Sequence, residues 1–133
     1  MRKIAVRLIV LGLLAAGGSL AVAHHAFFSE YDRTHQVKLT GVVTAVDWLN
    51  PHSYLYLDVR GRDGEVTNWA MEGFPPNRLV REGWTRSTLK PGDTITIRGY
   101  AAYDGSSRAH AHRVDLPNGK RLYWGVEAGR RPK

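Results

Sequence analysis

Residues 53–72, SYLYLDVRGRDGEVTNWAME, decide the fold class. From Tyr54 to Val59 a tyrosine or aspartate alternates with an aliphatic residue, and this two-residue period is typical of a strand with one buried face. Asp63-Gly64 is a hairpin signal, and residues 65–72 supply a second run of strand-forming side chains. The stretch therefore predicts two antiparallel strands joined by a tight turn.

The flanking sequence extends this pattern to a small all-β domain. Short strand-like runs separated by Gly, Pro and Asn turn signals favour a barrel or sandwich over a helical fold. A short helix between the third and fourth of five strands is the order of an OB-type barrel. We expect an all-β, OB-like five-stranded barrel over residues 24–124, with one short helix between strands 3 and 4 and a flexible tail at 125–133. The further strands are predicted at 37–47, 94–100, 108–116 and 121–124, and the helix at 78–83.

The first 23 residues have the three zones of an export signal. Basic residues come first, an apolar run follows Arg7, and an A-x-A triplet ends at Ala23. The alternative is an uncleaved membrane anchor, but the apolar run is shorter than the roughly 20 residues that span a bilayer. The pattern predicts a signal peptide over residues 1–23, cleaved after Ala23, and a periplasmic protein that is not integral to the membrane.

Charge and cysteine content narrow the class of partner. The net charge of +7 and the pI near 10.1 suggest nucleic acid at first sight. Three of the basic residues, Arg2, Lys3 and Arg7, belong to the predicted signal peptide, so the exported chain is only mildly basic. We therefore expect no nucleic-acid partner. The absence of cysteine excludes disulfides, thiolate nucleophiles and cysteine-bound metals.

Several short motifs carry a family resemblance. They are HHAFFSEYD at 24–32, DWLNPH at 47–52, NWAMEG at 68–73, REGW at 81–84, LKPGD at 89–93 and the Asp104-Gly105 hairpin. With these motifs in this order, the chain resembles a family of small exported bacterial proteins known as domain of unknown function 6152, over residues 24–124. The resemblance implies a periplasmic location and one small domain, and it implies no activity.

Histidines are the candidate metal ligands. If cleavage follows Ala23, His24 offers both its α-amine and its ring to one ion, and His25 and His52 can complete the site. Amine and imidazole nitrogens suit Cu(II), although another transition metal is also compatible. His110 and His112 form a weaker candidate pair, because residues two apart on a strand share a face. The alternative is that these histidines are ordinary polar residues that bind no metal.

Aromatic residues give a second, metal-free interpretation. Tyr54 and Tyr56 project from the face opposite the aliphatic residues of their strand, and Trp48 and Trp69 lie near them in sequence. An aromatic face on an OB-like sheet can stack against the rings of a ligand. The alternative is that both sheet faces are covered and these aromatics are core residues.

No catalytic constellation is recognisable. The serines lack the context of a nucleophile elbow, and no spacing selects two carboxylates for acid–base chemistry. The first prediction is a periplasmic binding or accessory module that handles a transition metal, with copper as the candidate cofactor. The second is a metal-free module that binds a small ligand or a periplasmic protein through its aromatic face. An enzyme is the third interpretation, and the sequence gives it no mechanism.

Overall fold

A computed structural model describes residues 29–130, and the β-domain begins at Tyr31. The predicted signal peptide and the candidate ligands His24 and His25 lie outside the described residues, as do residues 131–133.

The domain is built mostly of strands. The prediction of an all-β chain with one short helix between the third and fourth strands is confirmed. The first strand is longer than predicted, since it begins at Tyr31 instead of residue 37. The elements are β1 (Tyr31–Asp47), β2 (Tyr54–Arg60), β3 (Val66–Glu72), α1 (Pro76–Arg81), β4 (Thr94–Ala102), β5 (Arg108–Asp115) and β6 (Arg121–Tyr123).

Five of the strands form a hydrogen-bonded ring. The long β1 pairs with β4 through its first part and with β2 through its second, so Val42 lies opposite both Asp58 and Thr94. The order around the ring is β1, β2, β3, β5, β4 and back to β1. The short β6 pairs with the C-terminal end of β5. All of these pairs are antiparallel except β3 with β5, which run parallel. This parallel pair brings together segments that are far apart in sequence.

The β2–β3 connection is longer than the tight turn that the sequence predicts. Arg60 pairs with Val66, and the five residues between them form the loop. Gly61 donates its N–H to the carbonyl oxygen of Glu65 at 2.8 Å, which closes the loop. Gly64 has φ +88°, a conformation that glycine adopts without the steric penalty of a side chain. The loop length sets the register, so Tyr54 lies opposite Glu72.

The apolar core fills the inside of the ring. The alternating residues of β2 supply it as predicted, with Leu55 and Leu57 fully buried. Trp124, just beyond β6, is also fully buried, and its indole N–H donates to the carbonyl oxygen of Met71 at 3.1 Å. Gly73 makes this possible, because a Cβ there would lie within 2.2–2.4 Å of Trp124 atoms. Further core members include Val43, Met71, Leu79, Trp84, Ile95, Ile97, Ala109, Ala111 and Val114.

Residues 125–130, the C-terminal segment, lie against the outer surface of the strands. Val126 donates its backbone N–H to Nε2 of His110 at 3.0 Å, and Ala128 donates to the hydroxyl of Tyr100 at 3.0 Å. Arg130 pairs with the carboxylate of Glu82 at 2.9 Å. The flexible tail was predicted from residue 125, whereas its described part is held by these contacts.

Candidate functional site

A row of polar and aromatic side chains crosses the outer face of four strands. Tyr54 on β2 pairs with Glu72 on β3, Glu72 pairs with His110 on β5, and His110 pairs with Tyr100 on β4. Residues opposite each other in register point to the same side of a sheet. We call these four residues the polar row. Glu72, His110 and Tyr100 are buried, although none of them faces the apolar core.

Glu72 is the centre of this arrangement. One of its oxygens, Oε1, lies 2.5 Å from Nδ1 of His52. The other, Oε2, accepts the hydroxyl of Tyr31 at 2.6 Å and that of Tyr54 at 3.4 Å. Only 6% of its side chain is exposed, and a buried carboxylate is costly unless donors satisfy both oxygens. Here three side chains from three different segments do so.

The tyrosine hydroxyls are held in their protonated form. Burial, together with the hydrogen bond to Glu72 and the negative charge of that residue, raises the pKa of Tyr31. Burial and the charge of Glu72 also raise the pKa of Tyr54. The positive charge of Arg108 acts on both tyrosines in the opposite direction. Both hydroxyls therefore remain donors to the carboxylate across the physiological range.

The backbone fixes the position of His52 relative to Glu72. Ser53 donates its N–H to the carbonyl oxygen of Phe74 at 3.2 Å, and Gly73 donates to the carbonyl oxygen of Ser53 at 2.9 Å. These bonds continue the β2–β3 ladder one step beyond Tyr54 and Glu72. His52 therefore comes directly before a paired residue, and the preceding Asn50–Pro51 peptide is cis.

The ring of His52 contacts the protein on one side and is exposed to solvent on the other. Its side chain is 42% exposed, whereas the Glu72 side chain that it contacts is buried. A histidine that donates Nδ1–H to a carboxylate keeps its lone pair on Nε2. Within the part of the chain that the structure describes, Nε2 of His52 makes no hydrogen bond. The geometry therefore presents one imidazole nitrogen as an acceptor or metal ligand.

His110 and His112 lie on β5, but they are not the exposed pair that the sequence suggested. They are 2% and 3% exposed. Nε2 of His110 accepts the N–H of Val126, and Nδ1 of His112 lies 3.3 Å from Glu127. Burial, reinforced by the nearby histidines, lowers the pKa of His110 to about 3. Burial also lowers the pKa of His112, with Glu127 opposing the shift. The C-terminal segment covers both rings.

The predicted aromatic set divides between two sides of the sheet. The rings of Tyr54 and Tyr56 are stacked, with centroids 6.2 Å apart and planes at 22°. Trp69 lies opposite Leu57 in the register and packs against the core, and Trp48 also packs there. The guanidinium of Arg86 lies 5.3 Å from the Trp48 ring centre. The structure thus brings the two tyrosines together with Glu72 and places both tryptophans with the core.

Residues 29–130 contain neither a ready-made metal site nor a membrane-spanning helix. In that range, no three histidine or carboxylate side chains stand close enough together to hold a metal ion. In the same range, every helix is too short or too polar to traverse a bilayer.

Comparison with known proteins gives one result. A model described as a family of unknown function (DUF6152) matches residues 12–111. The chain belongs to this family. The match confirms the resemblance seen in the sequence motifs. Searches of curated proteins and of solved structures found no match.

Sequence reasoning selected His52 and Tyr54 and missed Glu72 and Tyr31. The sequence signal for Glu72 was its place in the two-residue alternation of β3. It shares a face with Asn68 and Ala70, opposite to the face that carries Trp69 and Met71. An acidic residue at the end of such a face is unremarkable until the partner strands are known. Tyr31 carried no signal at all, because its contact with Glu72 joins residues 41 positions apart.

Proposed function

We propose that the chain is an exported, periplasmic binding or accessory module that takes up a transition metal, with Cu(II) as the candidate ion. The proposed ligands are the α-amine and ring of His24 after cleavage behind Ala23, aided by His25 and by Nε2 of His52. We further propose that the five-stranded ring is an OB-like barrel, since its strand order and its helix between β3 and β4 fit that class.

The observation that carries this proposal is the contact between Nδ1 of His52 and the buried carboxylate of Glu72. Metal-binding histidines commonly donate their second ring nitrogen to a carboxylate, which orients the ring and makes the other nitrogen a better ligand. His52 has this arrangement on a half-exposed ring. Ordinary surface histidines have no need of a buried acid that is itself held by two tyrosines.

The remaining ligands must come from outside residues 29–130, because that range holds no group of three suitable side chains. His24 and His25 are the histidines of the preceding segment. An N-terminal histidine supplies two nitrogen donors to one ion, and a third nitrogen completes a planar, nitrogen-rich set that Cu(II) prefers. His110 is left out of the proposed site, because its Nε2 already accepts the backbone N–H of Val126.

The test is a Cu(II) titration of four purified proteins by calorimetry. They are the chain beginning at His24, the same chain with its α-amine acetylated, and the variants His52→Ala and His35→Ala. We expect tight binding of one ion by the first protein. Blocking the α-amine or removing His52 should weaken binding by roughly tenfold or more. His35 is an exposed histidine of β1, so its variant is the matched control and should bind as the unmodified chain does.

Equal and weak binding by all four proteins would overturn the metal proposal. Mass spectrometry of the exported protein gives an independent check, because a mature chain that begins elsewhere than at His24 lacks the required amine.

A second candidate function rests on the stacked pair Tyr54 and Tyr56. Both are partly exposed on the outer face, beside the half-exposed ring of His52. Such a surface suits a small cyclic ligand or a loop of a partner protein, bound by stacking and by the acceptor nitrogen of His52. The two functions are separated by Tyr56→Ala, which should leave Cu(II) affinity unchanged and should abolish metal-free ligand binding.

A further inference from the structure

Glu72 is the residue whose role goes beyond the proposed ligand set. It is a buried carboxylate on β3, and its two oxygens are divided between different partners. One oxygen faces His52 and the other faces Tyr31 and Tyr54. The two oxygens of Glu72 therefore make different kinds of contact.

The Oε2 side holds the carboxylate in place. Tyr31 at the start of β1 and Tyr54 on β2 approach Oε2 from two different strands. Tyr31 is itself fixed by packing with Tyr100 and Ala102 on β4, and its ring centre lies 5.9 Å from that of His110. Rotation of the Glu72 side chain would break both hydroxyl contacts. The carboxylate is therefore held rigidly before any ligand is bound.

The Oε1 side holds the imidazole. A carboxylate oxygen can only accept, so the short contact requires the proton on Nδ1 of His52. In the neutral ring this leaves the lone pair on Nε2. The contact also fixes the rotation of the ring about its side-chain bonds, since Nδ1 must stay within hydrogen-bonding distance of Oε1.

We infer that Glu72 is a positioning residue for His52, which fixes the tautomer whose binding nitrogen is Nε2 and aims that nitrogen outward. The inference rests on the proposed function only for the identity of the bound ion. The state of the His52 ring can be measured without any metal.

The experiment measures long-range ¹H–¹⁵N correlations of the His52 ring at a pH where the ring is neutral, in the chain beginning at His24. We expect Nδ1 to carry the proton and Nε2 to be unprotonated. Glu72→Leu removes the acceptor, so the ring should populate both tautomers. Glu82→Leu is the matched control, because Glu82 has a similarly buried carboxylate that pairs with Arg130 instead of a histidine. That variant should leave the His52 spectrum unchanged.

Tyr31→Phe tests the role of the opposite oxygen. It removes one donor to Oε2 and keeps the acceptor for Nδ1, so the tautomer should persist while the ring becomes more mobile. In a Cu(II) titration, Glu72→Leu should lower affinity by about 10- to 100-fold, as loss of such supporting contacts does elsewhere. Glu82→Leu should not lower it.

The inference is overturned if Nε2 carries the proton in the unmodified chain, or if Glu72→Leu leaves the tautomer as it was. The first of these outcomes needs no variant, so the inference can fail even if Glu72→Leu does not fold. A fixed Nδ1–H tautomer without Cu(II) binding would support the role of Glu72 and would overturn the proposed metal function.

Discussion

Where the end of β3 pairs with the start of β5, both faces of the sheet are buried, but they are buried in different ways. Met71 and Ala109 point into the apolar core, where burial alone is favourable. Their neighbours Glu72 and His110 point outward and are covered by Tyr31 and by the C-terminal segment. The carboxylate of Glu72 and Nε2 of His110 each depend on particular partners, because an unpaired buried polar group costs free energy.

The two faces differ in the substitutions that they should tolerate. The core face tolerates exchange among apolar residues of similar volume. The outer face tolerates little, since Glu72 accepts from three donors and His110 accepts the N–H of Val126, each at a defined distance. A buried polar arrangement outside the core is more than a stable fold requires, and it points to a site.

The largest expected effect lies on the core face. Leu57→Ala leaves a cavity at a fully buried position, and we expect it to lower the free energy of unfolding by about 2–5 kcal/mol. The matched control is Leu49→Ala, since Leu49 is 51% exposed and its truncation should cost far less. Urea unfolding followed by tryptophan fluorescence measures both. Equal losses in the two variants would contradict the assignment of the core to the inside of the ring.

The next effect is a dependence of stability on pH that originates on the outer face. The pKa of His110 is lowered to about 3 by burial, so the folded protein keeps this ring neutral while the unfolded chain binds a proton near the ordinary value of 6.5. The stabilisation is complete above pH 6.5 and is lost as the pH falls toward 3. By linkage, the loss amounts to about 3 kcal/mol at pH 4.

His110→Gln tests this dependence, because glutamine retains an acceptor for Val126 and does not titrate. Between pH 7 and pH 4 the variant should lose about 3 kcal/mol less than the unmodified chain. His35→Gln removes an exposed histidine and serves as the control, which should follow the unmodified chain. If His110→Gln shows the same acid loss as that control, burial of His110 is not its source.

The smallest effect concerns one hydrogen bond of the carboxylate. Tyr31→Phe removes the 2.6 Å bond to Oε2 of Glu72 and should cost about 2 kcal/mol, as expected for a hydrogen bond to a charged group. Tyr103→Phe is the control, since Tyr103 is 61% exposed and its change should be close to neutral. Thermal and urea unfolding at pH 7 compare the two. A neutral Tyr31→Phe would show that Tyr54 alone satisfies that oxygen.

The core face was predictable from the sequence, and the contacts made on the outer face were not. The alternation around Leu55 and Leu57 gives the phase of β2 directly, because one face of a half-buried strand repeats every second residue. The same alternation assigns Tyr54 and Tyr56 to the outer face, as the structure has them. The helix between β3 and β4 was also recognisable from Leu79, Val80 and the terminating Gly83, although it begins at Pro76, two residues before the predicted start.

The partners on the outer face depend on register and on pairing that local patterns do not contain. A two-residue turn at Asp63-Gly64 would pair Arg62 with Glu65 and bring Tyr54 opposite Gly73. The observed five-residue loop shifts the register by one residue, and Tyr54 then meets Glu72. His110 reaches Glu72 only through the parallel β3–β5 pair, which follows from closure of the ring.

That parallel pair also determines when the polar row can be complete during folding. The β1–β2–β3 strands can pair through short connections, and β4 with β5 through another, but Glu72 and His110 are 38 positions apart and meet only where the two halves join. Bringing distant segments together carries a loss of chain entropy that local pairing does not. The complete polar row thus exists only once β3 has paired with β5, so a chain that presents it has joined the two halves of the ring.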